Sequence, residues 1–204
     1  GGPSLEAERL GGLTVSMLAG EHGRQRCESA RGLFGRPEQG RVAAGVRGGA
    51  IQRHLGAEGS AAAELHHGPV LRAAEAAGAA AVLFCGASVD PSNPKCVRAS
   101  AGALFHVPVT SGGDTMSVVQ ELHDAGVRTA ATVVHGGTPY DAADLTGPIA
   151  LVMGSEAHGL PEAVTAAVDE RLTIPMAGRS ESLNVAMAGS VLAFEALRQR
   201  RSAG

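Results

Sequence analysis

Five consecutive residues, Ile149-Ala150-Leu151-Val152-Met153, carry no polar side chain, and Ala79-Ala80-Ala81-Val82-Leu83-Phe84 repeats the pattern. Successive side chains of a strand point to opposite faces, so a run this apolar is buried on both. A sheet covered on both faces needs helices on each side, and helix-like segments alternate with the apolar runs from Gly68 onward. Pro69 opens a helix that Gly78 closes. Further helices are expected over 94–104, over 114–125, from Pro161, and from Ser182 to about Arg200. Strands are expected over 79–84, 107–109, 127–134 and 149–153 and near Leu172, with a loop at Gly136-Gly137-Thr138-Pro139. The fold class is α/β, a parallel sheet flanked by helices.

Residues 1–60 read differently. They are rich in Gly, Ala and Arg and hold one short apolar run, Leu13-Thr14-Val15-Ser16-Met17-Leu18. Eight Arg against six Glu give this stretch a net charge of +2, which leaves −5 on the other 144 residues of a chain whose total is −3. The expected division is a poorly defined N-terminal region over 1–60, partly ordered at most, and one domain over 61–204.

A hydrophobic content of 44% is enough for a real core, but aromatics make up only 2%. Packing therefore rests on Ala, Val, Leu and Gly, and stacking platforms for single-stranded nucleic acid are scarce. A net charge of −3 argues against a protein that coats RNA, so any RNA contact is expected to be a local patch of arginine. Cys27, Cys85 and Cys96 form no Cys-x-x-Cys pair, which indicates neither a disulfide framework nor a zinc site and fits a reducing, cytoplasmic compartment. No apolar run reaches membrane-spanning length, and the first residues lack a basic start followed by an apolar stretch. His66-His67 has no third ligand at sensible spacing, and His106, His135 and His158 stand alone, so no metal is expected.

Two late stretches bring flexible backbone and isolated polar groups together. In Leu151-Val152-Met153-Gly154-Ser155-Glu156-Ala157-His158-Gly159-Leu160 a buried strand runs into two glycines and one carboxylate, and ligands favour the carboxyl ends of such strands. In Ile174-Pro175-Met176-Ala177-Gly178-Arg179-Ser180-Glu181-Ser182-Leu183-Asn184-Val185-Ala186 a proline–glycine loop leads to Ser182, a natural N-cap for the long last helix. The two loops together would cup one small molecule. Upstream of both lies a third segment, Asp90-Pro91-Ser92-Asn93-Pro94-Lys95-Cys96-Val97-Arg98-Ala99-Ser100-Ala101-Gly102-Ala103-Leu104-Phe105.

These three segments, in this order, resemble the SpoU (TrmH-like) branch of the SPOUT superfamily, RNA ribose 2′-O-methyltransferases that use S-adenosylmethionine. The resemblance covers roughly residues 68–200. It implies a C-terminal trefoil knot, a homodimer built on C-terminal helices, and rRNA or tRNA as substrate. It assigns donor binding to Thr132, Val134, Gly154, Ile174 and Leu183, catalysis to Arg72, Glu156 and Asn184, and substrate contacts to Ser182 and Arg98. No metal is needed, because the leaving group of the donor is already a cation.

Each assignment has a plainer counterpart in the residues themselves. Gly154 also ends a strand, and Ile174 and Leu183 also suit a core. Glu156 also suits the first turn of the helix from Pro161, Ser182 and Asn184 also satisfy helix-start backbone, and Arg72 and Arg98 also suit a solvated helix face. An ordinary carboxylate is a poor base for a ribose hydroxyl, so Glu156 is expected to organise its loop. A guanidinium is a permanent cation, so Arg72 is expected to hold a phosphate and stabilise a developing alkoxide. One departure stands out: relatives carry acid-Pro-x-Asn just before Gly68, whereas this chain reads Ala63-Glu64-Leu65-His66, so either His66 replaces the Asn or a few residues are absent here. It favours the alternative of a non-catalytic RNA-binding protein that keeps the fold.

Overall fold

The apolar strand at 149–153 divides its side chains between two cores. Ile149, Leu151 and Met153 pack with residues of one helical layer, while Ala150 and Val152 pack with the opposite layer. The 79–85 strand does the same, sending Val82 and Phe84 to the first side and Ala81, Leu83 and Cys85 to the second. The alternation is the two-residue period of a strand buried on both faces.

The computed structural model describes residues 14–19, 61–85, 91–111, 113–155 and 159–203. The elements are β1 (Thr14–Ala19), α1 (Ala61–Ala76), β2 (Ala79–Cys85), α2 (Pro94–Ala99), a 3₁₀ turn (Ala103–Phe105), β3 (Val109–Ser111) and α3 (Thr115–Asp124). They continue with β4 (Arg128–Thr132), β5 (Thr138–Pro139), β6 (Ile149–Met153), α4 (Glu162–Ala167), β7 (Glu170–Thr173) and α5 (Val185–Ala203). The sheet order is β3-β2-β1-β6-β4-β7-β5. On one face lie α1, α2 and α5, contributing Val70, Leu71, Cys96, Leu192 and Ala196 to the main core. On the other lie α3 and α4, through Val118, Leu122, Val119 and Val164.

The apolar run before residue 20 supplies β1, which inserts between β2 and β6 and is antiparallel to both. The sheet is therefore parallel except for this strand. Apolarity on both faces fixes how deeply a strand is buried; its direction depends on the connection, and the long 20–60 stretch leaves either direction open. The rest of 1–60 lies outside the described residues.

Three helix boundaries differ from the sequence expectation. The first helix begins at Ala61, eight residues before Pro69, so Gly68 and Pro69 sit within it. Tertiary contact overrides their poor propensity there: a Cβ at Gly68 would run into Ala99 Cβ and lie 2.6 Å from Ala99 C, so only glycine lets α1 cross α2 this closely. The second helix stops at Ala99 because Ala101 and Gly102 adopt φ values of 50° and 92°, which no α-helix continues. The last helix starts at Val185, capped by Asn184, whose Oδ1 accepts from Met187 N at 2.8 Å; the expected cap, Ser182, lies before it.

Two polar clusters hold the ends of this framework. Near the C-terminus of α5, Gln199 donates to Ala143 O (2.9 Å) and accepts from Leu145 N (2.8 Å). Arg200 donates to the carbonyls of Leu145, Thr146 and Gly147 at 3.0–3.1 Å, fixing the β5–β6 connection to the last helix. At the amino ends of β4 and β7, Asp169 Oδ2 accepts from Thr129 N (2.7 Å) and Thr129 Oγ1 (2.9 Å) and faces His123 Nε2 at 3.0 Å. Burial raises the Asp169 carboxyl pKa, but the Thr129 and His123 interactions outweigh it and leave the group below the ordinary aspartate range. A carboxyl depressed in the folded state stabilises above its unfolded value, and that stabilisation is lost as pH falls through the folded value. Thermal melts across the acid range are therefore expected to show a shallower fall for Asp169→Asn than for the wild type, from a lower melting temperature at neutral pH.

Candidate active site

β6, β4 and β7 are neighbours in the sheet and parallel, so their carboxyl ends open side by side. The chain leaves them at Thr132-Val133-Val134, at Gly154-Ser155 and at Ile174, and these residues line one cleft. Met176, Glu181, Ser182 and Leu183 of the 174–184 loop form a second wall, with Val185 and Ala188 from the first turn of α5 beside them. All five residues expected to bind a donor line the cleft, as does Ser182.

Short backbone contacts hold the walls. Val133 N donates to Leu172 O (2.8 Å) and Thr173 Oγ1 to Val134 O (2.9 Å), tying the segment after β4 to β7. Gly137 closes that segment: a Cβ there would lie 2.8 Å from Arg171 O and 2.9 Å from Val133 Cγ2. Gly154 has a second use besides lining the cleft. Its missing side chain leaves room for the chain itself, since a Cβ would meet the backbone of Gly159 and Leu160, which returns over it through the Ser155–Gly159 bridge. Gly159 N donates to Ser155 O at 2.7 Å, and Gly159 has φ 65°. Glu156, with Ala157 and His158, lies outside the described residues.

Asn184 sits between two cleft residues, Leu183 and Val185, and is exposed. Its Oδ1 is engaged by the helix cap, and its Nδ2 makes no hydrogen bond among the described residues, leaving two amide donors for an outside partner. Arg72 and Arg98 are exposed on α1 and α2, close to the crossing at Gly68, and neither lines the cleft. His67 is buried with its ring edge-on to Phe84, 4.4 Å between centroids. Among the described residues no group of three or more His, Cys, Asp or Glu is placed to hold a metal ion. Burial, and then Asp114 and Glu121, push the Cys85 thiol up to about 12, so it stays neutral and is no nucleophile.

Sequence reasoning missed Glu181 and Met176 as wall residues. Both stood in the stretch already singled out, but an acid and an apolar residue in a polar loop carry no sign of which way they face. Among the described residues Glu181 is the only charged group in the lining.

The model of the SpoU rRNA Methylase family matches residues 67–194. The chain belongs to that family. This SpoU family chain is 38% identical over 140 residues to the 23S rRNA (uridine(2479)-2′-O)-methyltransferase of Streptomyces viridochromogenes, covering 66% of itself and 49% of that protein. It is 35% identical over 127 residues to the 23S rRNA (guanosine(2553)-2′-O)-methyltransferase of Bacillus subtilis (strain 168), covering 62% and 51%. Among solved structures it resembles the SpoU methyltransferase AviRb from Streptomyces viridochromogenes in complex with the cofactor AdoMet, with a TM-score of 0.63, 35% identity, and 68% and 57% of the two chains covered. The AdoMet-bound rRNA methyltransferase from Sinorhizobium meliloti is similar at a TM-score of 0.63 and 34% identity, over 66% and 52%. The SpoU chain spans about half the length of the curated relatives it matches. No helix among its described residues is long and apolar enough to cross a membrane.

Proposed function

We propose that this chain is an S-adenosylmethionine-dependent methyltransferase acting on the ribose 2′-hydroxyl of a nucleotide in rRNA or tRNA. The observation that carries the reading is the convergence of Thr132, Val134, Gly154, Ile174 and Leu183, drawn from three separate segments, on one cleft at the carboxyl ends of β4, β6 and β7. The lining suits the donor. Val133, Leu172, Ile174 and Leu183 give apolar walls for an adenine, and Thr132, Ser155 and Ser182 add hydroxyls for its polar edges. When bound, the donor supplies a methyl group on a positively charged sulfur, so a metal has no part in the reading.

The remaining work falls to side chains. Asn184 Nδ2 would hold the ribose oxygen in register, Glu156 would organise the loop after β6, and Ser182 would face the substrate. Arg72 and Arg98 would hold RNA phosphates, and Arg72 would stabilise negative charge developing on the ribose oxygen. The reading includes the family's trefoil knot in the C-terminal segment, a cytoplasmic location, and a homodimer. Support for a dimer on α5 comes from Met187 and Phe194, 54% and 48% exposed and two turns apart on one helical face, with Val191 between them. A non-catalytic RNA-binding role is favoured by one observation: 63–66, where relatives carry acid-Pro-x-Asn, is helical and part of α1.

Transfer of a labelled methyl group from S-adenosylmethionine to protein-free rRNA tests the proposal. Wild-type protein is expected to label the RNA. Asn184→Asp keeps the cap acceptor and the fold but removes the amide donors, and is expected to lower the rate by about a hundredfold. Asn184→Ala is expected to lose the same activity and about 1 kcal/mol of stability besides. Labelling at the wild-type rate by Asn184→Asp would remove Asn184 from the reaction, and no labelling by the wild type would favour the non-catalytic role.

A further inference from the structure

Glu181 is out of keeping with its surroundings. The cleft wall it joins is formed by Met176, Ser182 and Leu183, and the opposite wall by Val133, Leu172 and Ile174, all neutral. Its carboxylate makes no ion pair and no hydrogen bond among the described residues, and Arg179, two residues earlier and also exposed, does not pair with it. It caps no helix, since Asn184 does that, and its exposure means that core packing does not explain it. A carboxylate that is unpaired and the only charged group in the lining among the described residues makes the local field negative and favours a cationic occupant.

We propose that Glu181 recognises the positive charge on the sulfur of the methyl donor, and so distinguishes donor from spent product. The assignment rests on the donor-site reading above. S-adenosylmethionine and S-adenosylhomocysteine share the adenine, the ribose and the amino-acid end, and differ by one methyl group and one positive charge. Apolar walls and hydroxyls treat the two almost alike, because a single methyl is a small difference for a pocket to sense. A carboxylate acts on the difference itself. It draws in the sulfonium and has no hold on the neutral thioether, so the cleft favours the compound to be consumed and lets the product leave.

Titration calorimetry of S-adenosylmethionine and S-adenosylhomocysteine, each into wild-type protein and Glu181→Gln, tests this directly. At low salt the variant is expected to bind S-adenosylmethionine about three- to tenfold more weakly, the size of one partly solvated charge pair. Its affinity for S-adenosylhomocysteine is expected to be unchanged. Glu181→Asp is expected to recover part of the loss, and added salt to shrink the wild-type preference. An equal loss for both compounds would overturn the assignment, because it would place Glu181 against a group they share; so would an unchanged affinity for S-adenosylmethionine. If neither compound binds the wild type, the donor-site reading itself fails and the role of Glu181 with it, a result distinct from binding that Glu181→Gln leaves intact.

Discussion

Gly154→Ala is expected to lower affinity for S-adenosylmethionine by about tenfold or more and to destabilise the protein by about 3 kcal/mol. The residue stands where β6 ends, in the cleft lining, and the space a Cβ would occupy is taken by the backbone of Gly159 and the nitrogen of Leu160. A flexible side-chain tip could swing aside; main chain tied by the hydrogen bond from Gly159 N to Ser155 O has to move as a unit. That movement displaces Ser155 and Gly159, both of which line the cleft. Affinity and stability therefore fall together, as calorimetry and thermal unfolding of the same sample would show. A variant that binds at wild-type affinity would mean that the loop after β6 takes no part in the site.

Gly68→Val is expected to separate the two effects. Here a Cβ meets Ala99 Cβ and lies 2.6 Å from Ala99 C and 2.8 Å from Ser100 N, so the last turn of α2 is pressed against α1 at its backbone. Ser100 is fully buried and its hydroxyl donates to Val97 O at 2.8 Å, which leaves this turn little room to yield. Overpacking at a crossing of two helix backbones is expected to cost about 3 kcal/mol, or a fall of about 10 °C in the melting temperature for a chain of this size. The crossing lies outside the cleft lining, so the folded fraction is expected to bind S-adenosylmethionine normally. Unfolding followed by circular dichroism, with binding measured well below the transition, checks both halves.

What could be read from the residues follows from which physical signals are local. β2 and β6 were legible because a strand buried on both faces leaves an unbroken apolar run, and 149–153 matches β6 residue for residue. The α3 boundaries were legible because Asp114 is a capping residue and its side chain accepts from Ser117 N at 3.1 Å. The early start of α1 was hidden because Gly68 and Pro69 are read locally as breakers, while their acceptance depends on α2, thirty residues later. The end of α2 was hidden because Ala101 has no intrinsic preference for positive φ, and the direction of β1 because no side chain encodes it. The same division holds in the cleft. Gly154, Ile174 and Leu183 stood out by their motif positions, Thr132 and Val134 only by the resemblance as a whole, and nothing in their individual chemistry marks the five as neighbours. Glu181 was passed over because an acid in a polar loop is ordinary, and it becomes conspicuous only because the other described residues of the lining are neutral.

Mass spectrometry of nucleosides, after digestion of unmodified rRNA incubated with this protein and S-adenosylmethionine, tests the central claim most directly. It separates a methyl group on the ribose from one on a base, which labelling alone does not. A 2′-O-methylnucleoside that forms with the wild type and is absent with Asn184→Asp is the expected result. A methylated base, or no methylated nucleoside from protein that binds the donor, would contradict ribose methylation at this cleft.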